Sequence, residues 1–383
     1  MGNRRRKKKK LQWKIKRVKS LHTLTLKDFR SYDRQIISFN GRLNLITGAN
    51  GSGKTNILEA LSFFAPGKGL RSASLASVGR QGGDHGVDTW QLQLCFSVPT
   101  GPLDFITRLE AGKRVVYCNE VRLKSQLALS QWVSMNWLTP SLHHAWHQKS
   151  YRRTYFDRLV FTFFPSYGML LQEYSQLLQE RILLCEKPNH PWHQTVEALM
   201  AEKAVHIFTY RQQSLSLLEE KLKTLGGLFP CPSLGMVGDF ESIMGQDQAK
   251  HVLQERWAQQ RMQDFAGRRT NMGPHITSFL VSHPNGWELP YCSTGEQKSL
   301  LLSLTMAWAQ ASKSIHETEF HFLLLDDVMA HLDGPHRRQL YDLLEALKTF
   351  VWITVPEPLE DFSPQHHFVV EKKDGVSGGR SLY

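Results

Sequence analysis

Hydrophobic and polar positions change rhythm four times along the chain. Residues 21–47 alternate in short runs rich in β-branched residues, LHTLTL and then QIISFNGRLNLIT, which predicts strands. TNILEALSFF (55–64) follows with apolar positions three and four apart, the period of a helix buried on one side. Strands return over 88–123 in DTWQLQLCFSVP, FITRLEA and KRVVYCNEVRL, with turns predicted at Gly101-Pro102 and Ala111-Gly112. From about Pro165 to Leu225 the spacing is helical. Leu170, Tyr174, Leu177 and Arg181 to Leu184 trace one helix; Val196, Leu199, Met200, Ile207, Leu215, Leu218 and Leu222 trace a second. KPNHP (187–191) separates the two, GGLFPCPSLG (226–235) ends the second, and a third helix is predicted from about Asp247 to Phe265. Beyond it, ITSFLVSH, a helix over 295–312, FHFLLL (320–325), a helix over 335–348 and FVWITV (350–355) restore strand–helix alternation. The pattern predicts an α/β head, a mixed sheet with flanking helices, interrupted by a short helical lobe. Residues 21–150 and 269–383 are expected to form the two parts of the head and 151–268 the lobe, so the head's parts must meet in space.

The net charge is +12, and its location matters more than its size. Residues 1–20 contain eleven Lys and Arg and no acid, and the remainder is close to neutral. The excess is a basic tail, expected to be mobile, that suits any polyanion and does not by itself establish DNA binding. No apolar run has the 18 or so residues of a membrane span, and no apolar stretch follows the basic N-terminus as in an export signal. The five cysteines are scattered and never in CxxC spacing, which argues for a reducing compartment without disulfide or zinc frameworks. A cytoplasmic protein with no membrane partner is expected.

Candidate chemistry lies between the first strands and the first helix. LNLITGANGSGKTNILE (43–59) contains GxxxxGK[ST] as Gly48, Ala49, Asn50, Gly51, Ser52, Gly53, Lys54 and Thr55. Glycines bare the backbone so that its amides can wrap a phosphate chain, and a helix beginning near Lys54 aims free N–H groups and its positive dipole end at the same anion. Lys54 is expected on the β- and γ-phosphates of ATP, and the Thr55 hydroxyl on Mg²⁺. A second motif supplies acids: the apolar strand in FHFLLLDDVMAHLD ends in Asp326 and Asp327. Open α/β sheets bind ligands at the carboxyl ends of their strands. Asp326 is expected to bind Mg²⁺ and Asp327 to act as general base, with Lys54 also counted as catalytic.

Between these motifs lies CSTGEQKSLLLSLTMAWAQ (292–310). Read locally, Ser293 to Glu296 is a capping box opening a helix. The same Ser293-x-Gly295-x-Gln297 arrangement resembles the signature motif of ABC-type ATPases, where it closes over a nucleotide held by a second subunit; Asp333 lies where that class carries its D-loop aspartate. LTLKDFRSY (24–32), the loop itself, GKGLRSASLASVGR (67–80), YRRTYFDRLVFTFFPSY (151–167), STGEQKS and LLLDDVMAHLDGPHRRQLYDLL (323–344) together resemble the RecF family of recombination-repair proteins, from about Val18 to Thr354. Two places depart from the family pattern: Lys149 replaces a proline, and Gly273-Pro274-His275 runs into Ile276-Thr277-Ser278 rather than an Arg and an acid.

The resemblance implies a weak ATPase that uses hydrolysis as a switch and forms an ATP-dependent homodimer. It implies binding to gapped, single-stranded and duplex DNA, and RecR- and RecO-type mediators as partners in loading RecA. An SMC-type DNA tether is the alternative, disfavoured because its arms run to hundreds of residues. A transporter ATPase is disfavoured because FVWITVPEP (350–358) has Thr354 and no nearby histidine. Arg71, Arg80, Arg152 and Arg153 lie in basic stretches without a legible role.

Overall fold

The computed structural model describes residues 20–382 except 40, 81–88, 99–100, 185–186, 188–189, 247, 316–319, 330–331, 348 and 360–361. The basic tail read at 1–20 therefore lies almost wholly outside the described residues. Two six-stranded sheets form the head. The first is antiparallel, in the order β2 (Tyr32–Ser38), β1 (Ser20–Phe29), β4 (Gln91–Val98), β5 (Gly101–Glu110), β6 (Lys113–Cys118) and β7 (Val121–Arg122). The second runs β14 (Val376–Ser381), β13 (His366–Lys373), β3 (Leu43–Thr47), β12 (Phe350–Val355), β11 (Phe320–Asp326) and β8 (Val133–Leu138). Its strands are parallel except β14, which turns back on β13. The turn expected at Gly101-Pro102 belongs instead to β5, whereas Ala111 and Gly112, both at positive φ, do turn the chain.

β11 shows how the second sheet is held. Phe320, Phe322 and Leu324 face one core, shared with α1 (Lys54–Ser62) and the antiparallel sheet; Leu323 and Leu325 face the other, under α9 (Thr294–Ile315). Both faces are buried, so the strand reads as a continuous apolar run. Short helices α2 (Leu75–Val78) and α3 (Leu142–Ala145) border the head, and α10 (Gly334–Ala346) joins β11 to β12.

The second core continues without a break into the lobe. There α4 (Lys149–Phe163), α5 (Tyr167–Leu184), α6 (Trp192–Leu225), α7 (Asp239–Met244) and α8 (Ala249–Gly267) pack together. At 1.5 Å per residue α6 is about 50 Å long. Val196, Met200, Ile207, Leu215, Leu218 and Leu222 bury as the spacing predicts, whereas Leu199 points out. A two-stranded ribbon, β9 (Ser233–Val237) on β10 (Ser278–Ser282), closes the lobe, so ITSFLVSH joins neither large sheet.

Buried charge ties the lobe. Arg181 on α5 is fully buried and donates to Glu197 on α6, Asp264 on α8, the Thr270 hydroxyl and the Trp257 carbonyl. Arg211 on α6 bonds Asp157, the Tyr167 hydroxyl and the Pro274 carbonyl. The departing Gly273-Pro274-His275 segment thus has an architectural role: His275 pairs with the Thr270 carbonyl, and Gly273, at φ 140, leaves room for the Tyr174 hydroxyl.

Candidate nucleotide site

Three neighbouring parallel strands end side by side: β3 in the glycine loop, β12 at Val355 and β11 in Asp326, with Thr354, the last residue but one of β12, directly opposite Asp326 in register. The loop needs its glycines. Gly48, Gly51 and Gly53 all have positive φ, at 148°, 78° and 117°. A Cβ on Gly48 would collide with the Val370 carbonyl, and one on Gly53 would sit 2.6 Å from the Ser377 hydroxyl. At Gly51 a Cβ would meet nothing within 4 Å, so only its φ favours glycine there and its outer side stays open.

Gly53 caps α1, and Lys54 follows in its first turn. Lys54 is 7% exposed; its ammonium donates to the carbonyls of Gly48 at 2.5 Å and Ala49 at 3.0 Å. Burial lowers its pKa, opposed by the charges of Asp327 and Asp326. Thr55 Oγ1 donates to Asp326 Oδ1 at 2.9 Å, and Thr354 Oγ1 to the same oxygen at 2.8 Å. Burial raises the Asp326 pKa in spite of these two bonds. Asp327 is half-buried and left-handed at φ 51; its N–H donates to Thr354 Oγ1, while its buried Oδ1 has no hydrogen-bond partner among the described residues. A strained residue with an unpaired buried acceptor is suited to binding something other than its own chain.

A cleft of about 240 Å³ collects Asn50, Gly51, Gly53, Lys54, Thr55, Asp326 and Asp327, together with Arg71 and Thr354. Ala49 borders it through its carbonyl, and the buried Ser52 hydroxyl has no hydrogen-bond partner among the described residues. Lys54, Thr55, Asp326 and Asp327, predicted from two distant motifs, are therefore brought together. Sequence reading missed Thr354, which bridges the two acids; its place at the end of an apolar strand, aligned with the DD pair, was the available signal.

The signature residues lie elsewhere. Ser293 and Glu296 form the predicted capping box, with Glu296 Oε2 2.8 Å from both the Ser293 amide and hydroxyl. Gln297 turns inward to the Cys292 carbonyl at 2.9 Å rather than outward. A Cβ on Gly295 would meet nothing within 4 Å. Asp333 caps α10, accepting from the His336 amide and ring. Gly295 and Asp333 line a second cavity of about 310 Å³ that reaches Asp326 and Asp327 from the other side. Neither lines the cleft at the loop. The basic-stretch arginines are each engaged within the chain: Arg71 with Glu59 and Asn56, Arg80 with Asp33, Arg152 with Glu288 and Arg153 with the Thr277 carbonyl.

A family model described as "RecF/RecN/SMC N terminal domain" matches residues 20–375. The DNA replication and repair protein RecF of Rickettsia peacockii (strain Rustic) is 32% identical over 360 residues, covering 91% of this chain and 98% of that protein. The chain belongs to the RecF family. A solved structure of the recombination mediator protein RecF-ATP in the RecFOR pathway superimposes with TM-score 0.79 at 21% identity, covering 95% of this chain and 97% of that one. The Smc head domain with an extended coiled coil from Pyrococcus furiosus superimposes with TM-score 0.54 at 16% identity. The two share the ABC-type ATPase head fold with this RecF-family chain, the Smc head more distantly. Among the described residues, no helix is long and apolar enough to cross a membrane.

Proposed function

We propose that the chain is a nucleotide-gated ATPase of DNA replication and repair, which binds ATP at the glycine loop and acts on gapped DNA. The observation that carries this reading is the meeting of Thr55 and Asp326 beside an open loop whose lysine is already in place. The loop amides, the α1 N-terminus and Lys54 hold the triphosphate. Thr55 and Asp326 offer hard oxygen ligands, and among the described residues no group of three or more His, Cys, Asp or Glu is arranged to hold a metal ion. Two oxygens suit Mg²⁺, which takes few protein ligands and keeps water and phosphate oxygens. When bound, Mg²⁺ neutralises charge on the phosphates. The Oδ1 of Asp327, unpartnered among the described residues, accepts the proton of the attacking water.

Ser293 and Gly295 of a second copy complete the anion site, which explains why Gly295 faces open space in one chain. Dimerisation then reports ATP: without the phosphates, positive helix ends and Lys54 face one another. Relatives carry the names DNA replication and repair protein RecF and recombination mediator protein RecF in the RecFOR pathway. We extend to this chain binding at junctions of single and double strand, RecO- and RecR-type partners, and help in loading RecA. The test is mass by light scattering, and binding to gapped, duplex and single-stranded DNA, with and without ATP and Mg²⁺, using a form that starts at Val18. A mass that doubles with ATP and a preference for gapped DNA support the reading; an unchanged mass counts against it.

A further inference from the structure

The hairpin β13–β14 grips the glycine loop from behind. β13 pairs with β3 up to Val369 opposite Thr47, and the next residue, Val370, sets its carbonyl behind Gly48. β14 reaches the other end of the loop through Ser377, a buried residue whose hydroxyl lies 2.5 Å from the Ser52 carbonyl and 2.7 Å from the Ser31 hydroxyl. The Ser377 hydroxyl is the donor toward both oxygens, so its single proton is shared between the Ser52 carbonyl and the Ser31 hydroxyl. Ser31 in turn accepts from the Asn56 amide at 2.8 Å, and the Ser377 N–H donates to the Ser31 carbonyl at 2.8 Å. The chain of bonds runs Asn56, Ser31, Ser377, Ser52, and closes a ring around the start of α1. The Tyr32 hydroxyl adds a bond to the Gly53 carbonyl at 3.2 Å.

From these contacts we infer that Ser377 is a positioning residue for phosphate binding: it sets the orientation of the Ser52–Gly53 peptide. In a trans peptide the C=O and the following N–H point in opposite directions. Fixing the Ser52 carbonyl against Ser377 therefore turns the Gly53 N–H toward the cleft that Gly53 lines. In a loop of three positive-φ glycines, that peptide is free to rotate unless something outside the loop holds it. Ser377 is the outside hold. The close approach of its hydroxyl also accounts for glycine at position 53. This inference rests on the glycine loop being the ATP site.

The test measures ATP and inorganic tripolyphosphate binding, both with Mg²⁺, to the full chain, to Ser377→Ala and to Ser381→Ala. Ser381 lies on the same strand and its hydroxyl pairs with His366 at 2.6 Å, away from the loop, so it controls for loss of a hairpin bond. Ser377→Ala is expected to weaken both ligands about five- to ten-fold, the value of one well-made hydrogen bond. Ser381→Ala is expected to bind both as the wild type does. Unchanged affinity in Ser377→Ala overturns the inference and leaves the site standing. Equal losses in both variants, tracking equal falls in melting temperature, overturn it too, because they make the effect one of hairpin stability. A wild-type chain that binds neither ligand overturns the site itself, and the inference with it.

Discussion

Thr55 Oγ1 donates to Asp326 Oδ1, tying the first turn of α1 to the end of β11 across 271 residues of sequence. The carboxyl so held has a raised pKa because it is buried. A raised carboxyl favours the folded state only while protonated, and its ionisation costs stability as pH climbs from 3.8 through the folded value. Asp326→Asn should therefore melt higher than the wild type at neutral pH, with the gain vanishing below pH 3.8. The same variant should lose Mg²⁺-dependent nucleotide binding. Scanning calorimetry across pH, with and without nucleotide, reads both.

Lys54 carries the complementary cost. Burial lowers its pKa, so the penalty for its charge is complete at neutral pH and is relieved as pH rises through the folded value toward 10.5. Lys54→Met should fold at least as stably as the wild type at pH 7, the difference narrowing near pH 10. ATP affinity should fall about 10- to 100-fold, as for loss of a charged hydrogen bond. Titration calorimetry measures it.

Asp327→Asn keeps the size of the side chain and removes the proposed base. Nucleotide binding should persist, phosphate release should slow by at least about 100-fold, and the ATP-bound dimer should live longer. Wild-type phosphate release from this variant would mean that another group takes the proton.

In the lobe, Arg181→Met would leave the buried Asp264 without its cationic partner, whereas Glu197 keeps Arg261 at 2.6 Å. An uncompensated buried charge costs about 3–5 kcal/mol, seen as a lowered urea midpoint. Arg211→Met should act similarly through Asp157.

The nucleotide loop and its acids were legible because their chemistry dictates residue type at fixed spacing, and the lobe because α5 and α6 bury every third or fourth residue. Other elements were not. β8 (VSMNWL) carries polar Ser134 and Asn136 inside an otherwise apolar strand, which hides its period although both are buried. β9, with Gly235 at its centre, looked like a helix stop. β13 and β14 were overlooked even though Asp374-Gly375, at φ 49° and 79°, is a common hairpin turn. The buried ion pairs of Arg181 and Arg211 were not legible because nothing local to either residue names its partners; Arg181 meets Asp264 83 residues on. Gln297 and Asp333 fit a motif by spacing, but each first satisfies its own helix end.

β3 sits between β12 and β13, and Thr47 at its end bonds His367, 320 residues downstream. During synthesis the glycine loop leaves the ribosome early, yet β12 and β13, the strands that flank its support, are made only after the whole lobe. The lobe's partners lie much closer in sequence, Arg211 and Pro274 being 63 residues apart. A nascent chain of this kind assembles its arm first and supports its glycine loop only once β12 and β13 have followed.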